Sequence, residues 1–200
     1  MGRMLIVTAI AAALALGALA MSEAGKPAKE KPGTEPELRA PTAAEIAAAK
    51  KAGKVKVVME TNKGTITLEL EGPAAPIAVA NFLNLVKAGF YDGMPFHRVE
   101  PGFVIQAGDP TLVGRPIVNY TIQDEKSPIK HTRGTIAMAR LYNNRGMVPN
   151  SASTQFYICL GEAPHLDRLG FTAFGRMVKG IEVIDKIAVG DRIKQTKLAK

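Results

Sequence analysis

The chain has 200 residues, of which 46% are hydrophobic, so it can form one globular domain with a core of ordinary size and an additional tail. Its formal net charge is +8, but no basic run is interleaved with aromatic residues, so we interpret this charge as a solvated surface and expect no nucleic-acid binding. The single cysteine, Cys159, excludes an intrachain disulfide, and the three histidines, His97, His131 and His165, lack the spacing of metal ligands.

The first segment, residues 1–20, has the features of a cleaved secretory signal. Arg3 precedes an uncharged apolar stretch that ends in the small-residue pattern Ala18-Leu19-Ala20. The alternative is an uncleaved membrane anchor, but residues 5–20 number 16, fewer than the roughly 20 that span a bilayer. We therefore expect export to the periplasm or the extracellular space, with tethering by an uncleaved N-terminal segment as the alternative.

Residues 21–53 are predicted to form a linker, and residues 54–200 the globular domain. Residues 22–38 are rich in charged residues, proline and glycine, and we expect them to be disordered because they have almost nothing to bury. Thr42 and Glu45 then form a capping-box pattern, which starts a short alanine-rich helix that Gly53 ends. We expect this short helix to be marginally stable.

The domain begins with a predicted β-hairpin at residues 55–60 and 65–70. Ile66, Leu68 and Leu70 alternate with polar residues, which is typical of a strand with one buried face. Apolar residues then recur at helical spacing and predict an amphipathic helix that packs on the sheet. These residues are Val79, Phe82, Leu83 and Val86.

The central stretch, residues 95–109, predicts two strands joined by a tight turn. Two apolar runs flank Pro101-Gly102, a pair that suits the middle of a β-turn. Because side chains alternate along a strand, an arginine (Arg98), an amide (Gln106) and an aromatic ring (Phe103) could line one surface.

The rest of the domain adds short strands at residues 135–139, 155–160 and 172–177 and a short helix at residues 181–187. The strand at 155–160 contains Cys159, which we expect to be a buried thiol. Many strands and two helices, without alternating strand and helix units, predict an antiparallel all-β barrel or sandwich.

Several motifs occur in a fixed order within residues 54–189. They are Phe96-His97-Arg98-Val99, Pro101-Gly102-Phe103, Gln106, Gly108-Asp109, Lys130-His131-Thr132-Arg133-Gly134, Ala137-Met138-Ala139, residues 150–158 and Phe174-Gly175. Together they resemble the signature of the cyclophilins, the peptidyl-prolyl cis-trans isomerases, and we expect an exported bacterial member. The resemblance implies an all-β fold, a closed eight-stranded antiparallel barrel capped by two α-helices, with a solid interior and the site on its outer wall.

The chemistry of isomerisation suggests a role for Arg98. Rotation about an Xaa-Pro bond breaks amide resonance, and the proline nitrogen becomes a hydrogen-bond acceptor only at the twisted geometry. A donor aimed at that nitrogen stabilises the transition state and not the ground state. Arginine stays charged at any working pH and presents several donors, so we predict Arg98 as the catalytic residue, with a solvated strand arginine as the alternative.

The other site residues are implied by the resemblance. The pocket and its rim would consist of Phe103, Val104, Tyr157, Leu166 and Phe171. The peptide backbone would be held by Gln106 and Gln155 and would lie along Ala139 and Arg140. His165 occupies a substrate-binding position where the best-known eukaryotic members carry tryptophan, and His97 is expected to be a packed, hydrogen-bonded structural residue.

Four departures from the family pattern leave the substrate preference open. Tyr157 adds a hydroxyl to the pocket floor where many members carry phenylalanine, and His165 puts tight binding of cyclosporin in doubt. Residues 112–118 replace a glycine-rich loop and are expected to change one wall of the groove. Residues 141–148 lengthen another loop, and loops on a rigid scaffold set specificity.

The leading hypothesis is a peptidyl-prolyl cis-trans isomerase that assists protein folding. We expect a monomer that acts on proline-containing polypeptides, needs no cofactor or metal, and is not stably inserted in a membrane after signal cleavage. One alternative is a non-catalytic proline-peptide binding module or holdase chaperone, although a binder has no need of the donor Arg98. Another alternative is a basic protein that anchors to a membrane or nucleic acid, for which net charge is the sole support.

Overall fold

The computed structural model describes residues 38–199. The predicted signal and almost all of the segment predicted to be disordered lie outside the described residues. The strands are β1 (Lys54–Thr61), β2 (Gly64–Glu71), β3 (Arg98–Glu100), β4 (Val104–Ala107), β5 (Thr135–Met138), β6 (Tyr142–Asn143), β7 (Gly146–Met147), β8 (Phe156–Cys159), β9 (Ala173–Lys179) and β10 (Ile193–Leu198). The helices are α1 (Ala43–Ala52), α2 (Pro76–Lys87), α3 (Pro164–Arg168) and α4 (Ile181–Ile184), with a 3-10 turn at Pro110–Val113. In this part of the chain, no helix has the length and apolar character needed to cross a membrane.

Eight strands form one antiparallel sheet in the order β10-β1-β2-β9-β5-β8-β4-β3, and β6 and β7 form a separate small hairpin. Among the described residues, no ladder joins the edge strands β3 and β10. The segment in front of β3 is linked to the start of β10 and to the residues before it by a bridge between Pro95 and Arg192 and by irregular backbone hydrogen bonds. These include the Phe96 amide to the Asp191 carbonyl (2.8 Å) and the Ile193 amide to the Met94 carbonyl (2.9 Å). Proline has no amide hydrogen, so a regular ladder does not continue through Pro95. The predicted closed barrel is therefore wrong at this seam, and the sheet is an open half-barrel.

The first hairpin and the long helix have the predicted form. Ile66, Leu68 and Leu70 of β2 are fully buried, while the residues between them are more exposed. Helix α2 packs against β2, β9 and β10. Helix α4 ends at Ile184, earlier than expected, and α3 was not predicted because five residues are too few to show helical periodicity.

Helix α1 begins with the predicted capping box. The Glu45 amide donates to Thr42 Oγ1 (3.3 Å), and the Thr42 amide donates to Glu45 Oε2 (2.7 Å). The helix packs against α2 and buries Ala49, so tertiary contacts add to its local stability. The domain boundary after residue 53 stays a prediction.

The core inside the half-barrel is centred on aromatic rings. The Phe82 ring lies 5.0 Å from that of Tyr91, 5.4 Å from that of Phe156 and 5.3 Å from that of Phe174, measured between centroids. All four side chains are fully buried, which joins α2 to β8 and β9.

Replacing Phe82 with alanine removes a ring that contacts three others. We expect Phe82→Ala to lower the free energy of unfolding by about 3–5 kcal/mol, because a cavity is left in a packed interior. Urea denaturation measures this change, and Leu112→Ala, at a half-exposed position, is the control with an expected change within about 0.5 kcal/mol. A loss below about 1 kcal/mol for Phe82→Ala would contradict the described packing.

Candidate functional site

A cavity of about 240 Å³ opens on the face of the sheet opposite the main core. Along β4 and β8 alternate residues pack into the main core, while Val104 and Tyr157 belong to a second, smaller apolar cluster. The cavity is lined by Arg98, Phe103, Val104, Gln106, Ala139, Arg140, Tyr142, Met147, Tyr157, His165, Leu166, Leu169 and Phe171. Every site residue predicted from the sequence is in this lining except Gln155.

The strand register places the central residues of the site in one row. Arg98 of β3 is directly opposite Gln106 of β4, and Gln106 is directly opposite Tyr157 of β8. Directly paired residues project from the same face of an antiparallel sheet. Pairing therefore brings Arg98 and Gln106 together as predicted, with Tyr157 as the aromatic residue of the row, whereas the predicted aromatic residue, Phe103, lines the cavity from just before β4.

Polar side chains form a strip along one edge of the cavity. Arg98 Nη1 donates to Gln106 Oε1 (3.1 Å), and Gln106 Nε2 donates to Gln155 Oε1 (2.8 Å). Gln155 thus supports the strip, and it lines a smaller neighbouring cavity of about 50 Å³. The guanidinium of Arg98 also lies 5.7 Å from the centre of the Phe103 ring.

Glu100 is a contact of Arg98 that the sequence analysis missed. Nε and Nη2 of Arg98 both lie 2.7 Å from Glu100 Oε1. Residues two apart on a strand share a face, so the spacing of Arg98 and Glu100 was a usable signal. All three guanidinium nitrogens of Arg98 therefore have partners.

The floor and walls of the cavity are apolar. Val104, Leu166 and Phe171 are buried, and the Phe103 ring stacks on the His165 ring at 5.3 Å between centroids. Such an apolar lining is suited to a small apolar ring.

The hydroxyl of Tyr157 is part of a chain of hydrogen bonds below the floor, which is buried at Tyr157 and His131 and partly exposed at Asp167. It lies 2.9 Å from Nε2 of His131, and Nδ1 of His131 lies 2.7 Å from Oδ1 of Asp167. Burial lowers the pKa of His131 although Asp167 opposes the change, so the ring is neutral at pH 7. Burial works against ionisation of Asp167, but the side-chain and backbone hydrogen bonds of His131 outweigh it and lower the pKa of this carboxyl.

The protonation states of His131 and Asp167 determine which atom donates in each of these hydrogen bonds. A neutral His131 donates from Nδ1 to the Asp167 carboxylate and accepts at Nε2 from the Tyr157 hydroxyl. The hydroxyl predicted to stand at the pocket floor is therefore anchored to α3, the helix that carries His165 and Leu166. The sequence did not reveal this chain because 36 residues separate His131 from Asp167.

Arg140 forms the rim opposite the polar strip. Its guanidinium lies 4.1 Å from the centre of the Phe171 ring, bonds to Asp124 Oδ2 (2.8 Å) and donates to the Leu169 carbonyl (2.7 Å). Beyond it, Tyr142, Met147 and Leu169 complete the mouth. Residues 141–148 were predicted to be a lengthened loop, but their position at the cavity was not predicted.

Other predicted features lie away from the cavity. Residues 112–118, expected to change a wall of the groove, contribute nothing to its lining.

Cys159 is a buried thiol as predicted, and burial raises its pKa to about 12. His97 is half-buried, and its side chain has a hydrogen bond with Gln155, as the prediction of a hydrogen-bonded residue requires, although its Nδ1 has no partner among the described residues. Across residues 38–199, no His, Cys, Asp and Glu side chains are grouped so as to hold a metal ion.

The structure thus places an apolar cavity edged by an arginine and an amide on the outer face of an antiparallel half-barrel, an arrangement suited to a peptide ligand. The chain matches the family model of the cyclophilin type peptidyl-prolyl cis-trans isomerases over residues 56–200. It therefore belongs to this family, and the resemblance seen in the sequence is confirmed.

Individual relatives agree with this assignment. A peptidyl-prolyl cis-trans isomerase of Helicobacter pylori is 43% identical over 140 residues, which are 68% of this chain and 82% of the relative. One of Synechococcus elongatus is 39% identical over 145 residues, 72% of this chain and 95% of the relative. A crystal structure of the Cryptosporidium parvum cyclophilin type peptidyl-prolyl cis-trans isomerase, in the presence of the dipeptide Ala-Pro, has a TM-score of 0.63 and 30% identity, covering 72% of this chain and 99% of that chain. These relatives support the isomerase function predicted from the sequence.

The neutral state of His131 makes the stability of the fold depend on pH. Its pKa is lower in the folded than in the unfolded protein, so below about pH 6.5 the unfolded state binds more protons. We expect the free energy of unfolding to be highest above about pH 7 and to fall as the pH decreases towards 5.

Urea unfolding of the unmodified protein and of His131→Gln between pH 5 and pH 8 measures this effect. The variant should show a shallower loss of stability at low pH. Burial also lowers the pKa of His97, but this residue is present in both proteins, so its contribution cancels in the comparison. Parallel stability curves would contradict a neutral, buried His131.

Proposed function

We propose that this chain catalyses cis-trans isomerisation of Xaa-Pro bonds, with Arg98 as the catalytic donor. The observation that carries the proposal is the position of the Arg98 guanidinium, at the edge of an apolar cavity and in register with Gln106 and Tyr157. The cavity would hold the pyrrolidine ring while the carbonyl side of the bond rotates.

The required lowering of the rotation barrier can be achieved by a site that has no nucleophile. The barrier to rotation is about 18–20 kcal/mol, and uncatalysed exchange takes tens to hundreds of seconds. A catalyst that works in milliseconds has to remove about 7 kcal/mol. No covalent bond forms or breaks, so an aimed donor, a fixed ring and a fixed backbone are sufficient.

Each part of the site has a role in this mechanism. The proline nitrogen regains its lone pair as the amide twists, and a donor of Arg98 then stabilises it. Gln106 holds Arg98 through Nη1 and is itself held by Gln155, which keeps the guanidinium in place. The rotating carbonyl side would lie along Ala139 and Arg140.

A non-catalytic proline-peptide binder is the second candidate. The three nitrogens of the Arg98 guanidinium already have Glu100 and Gln106 as partners, and such a saturated arginine suits a structural edge. However, Glu100 is half exposed, and exposed ion pairs contribute only about 0–1 kcal/mol, so a substrate can redirect a donor at little cost.

We further propose that the protein is an exported bacterial member that acts as a monomer on proline-containing chains and assists their folding outside the cytoplasm. Residues 1–20 support export through the apolar stretch and the pattern Ala18-Leu19-Ala20. The Ala-Pro dipeptide named with the Cryptosporidium parvum relative supports proline-containing substrates.

The first test compares purified residues 21–200 with the Arg98→Ala variant. Line-shape or exchange NMR on a short Xaa-Pro peptide gives the rate of interconversion. We expect Arg98→Ala to lower turnover by about 10²–10³-fold while the fold is retained, the loss seen when one transition-state donor is removed.

Arg133→Ala is the matched control for that test. Arg133 is an exposed arginine outside the cavity lining that bonds to Asp185 (2.7 Å), so its loss should leave turnover unchanged. Equal turnover in Arg98→Ala and the unmodified protein would remove Arg98 from the mechanism. If the peptide binds but its exchange is not accelerated by either protein, the binding-module alternative replaces catalysis.

Export is tested by expressing all 200 residues in a Gram-negative bacterium and measuring the mass of the product in each cell fraction. We expect a periplasmic or secreted chain that starts near Met21. Ala20→Arg should block cleavage, because signal peptidase requires small residues at its site. A full-length chain in the membrane fraction would favour the uncleaved anchor, and one in the cytoplasm would exclude export.

A further inference from the structure

The hairpin formed by β6 and β7 presents large apolar side chains to solvent at the mouth of the cavity. Tyr142 is 73% exposed and Met147 is 41% exposed, and both line the cavity. Leu169, at the end of α3, is 53% exposed and lines the same mouth. We call these three residues the apolar rim.

The apolar rim is continuous with the cavity. Tyr142 and Met147 are directly paired across the hairpin, so their side chains project from the same face. Single exposed apolar residues are common on protein surfaces, but adjacent ones beside a pocket mark a binding surface. The rim therefore extends the floor of Leu166 and Phe171 outwards.

The hairpin that carries the rim is held at its base. The Leu141 amide donates to Ser151 Oγ (2.9 Å), and Ser151 Oγ donates to the Val148 carbonyl (2.6 Å). The Val148 amide donates to the Leu141 carbonyl (2.9 Å), which closes the two arms. A surface that is already ordered loses little entropy when a ligand binds.

Arg140 connects the two sides of the mouth. It precedes the hairpin in the chain and donates to the carbonyl of Leu169 (2.7 Å). The same arginine is held by Asp124, which also accepts from the Asn150 amide at 2.9 Å. Tyr142, Met147 and Leu169 are therefore supported by one hydrogen-bonded frame.

The volume of the cavity limits what enters it. Its 240 Å³ is below the roughly 300–1,000 Å³ of pockets that enclose a whole small molecule. A proline ring on Phe103, Leu166 and Phe171 would leave the side chain of a neighbouring residue outside the deep part, over the apolar rim. Burial of a large apolar group there stabilises the complex because apolar surface is removed from water.

We infer that Tyr142, Met147 and Leu169 form a specificity surface for a large apolar side chain adjacent to the proline of the substrate. This inference rests on the proposed function, because the proline has to occupy the cavity. It names the substrate class as unfolded segments in which a proline neighbours an aromatic or large aliphatic residue.

The test uses peptides in which the residue before or after the proline is Ala, Leu or Phe. Exchange NMR gives kcat/KM for each peptide with the unmodified protein and with Tyr142→Ser/Met147→Ser. For one of the two flanking positions, we expect the unmodified protein to favour Phe over Ala by about tenfold, and we expect the double variant to bring this ratio close to one, mainly through KM.

The matched control is Ile117→Ser/Val189→Ser, which removes two exposed apolar residues outside the cavity lining and should keep the ratio. A ratio near one at both positions in the unmodified protein, or an unchanged ratio in the rim variant, would overturn the inference.

Calorimetric Kd values for the same peptides separate this inference from the proposed function. If exchange is not accelerated for any peptide, the isomerase proposal fails, and the Phe to Ala ratio of Kd values then decides on the rim. A tenfold ratio that the rim variant loses supports the specificity surface, and a ratio near one overturns it.

Discussion

The register of three short strands is the constraint on which the site depends. β3, β4 and β8 pair so that Arg98, Gln106 and Tyr157 stand in one row, and each strand contributes one chemical part. A shift of one residue in the β3–β4 or β4–β8 ladder would turn the side chain of the shifted strand away from the cavity and towards the main core. The aromatic core on the other face holds this register, because Phe156 of β8 packs against Phe82 of α2. The packing of the core on one face of the sheet therefore determines the geometry of the site on the other face.

Two apolar clusters on opposite faces of the sheet have different roles in the structure. The larger one, inside the half-barrel, stabilises the sheet, and the smaller one, on the opposite face, forms the floor of the cavity. The floor is joined to α3 through the Tyr157, His131 and Asp167 chain rather than through apolar packing alone. A directional link of this kind sets the position of the floor more narrowly than non-directional apolar contacts do.

Local sequence patterns predicted much of this structure. The alternation in β2, the capping box of α1 and the strand-turn-strand at residues 95–109 are properties of neighbouring residues, and all are present. The family motifs predicted a set of residues that the structure gathers at one cavity, with Gln155 supporting from beside it. Their individual roles stay predictions.

The features that were missed depend on residues far apart in the chain. The His131 to Asp167 contact and the position of the hairpin at residues 141–148 follow from how distant segments meet. Periodicity and local spacing in the sequence do not predict tertiary contacts of this kind. The open seam between β3 and β10 was missed for a different reason, because the resemblance implied closure while Pro95 interrupts the pairing.

The placement of Arg98 on an edge strand has a consequence for heat sensitivity. β3 has three residues and pairs through a ladder with β4 alone, so its hydrogen bonds open at a lower free energy than those of the central strands. Fraying of β3 carries the guanidinium away from Gln106 while the aromatic core stays intact. On the role proposed for Arg98, we expect turnover to fall on warming before the core unfolds, and amide exchange in β3 would mark the temperature at which this begins.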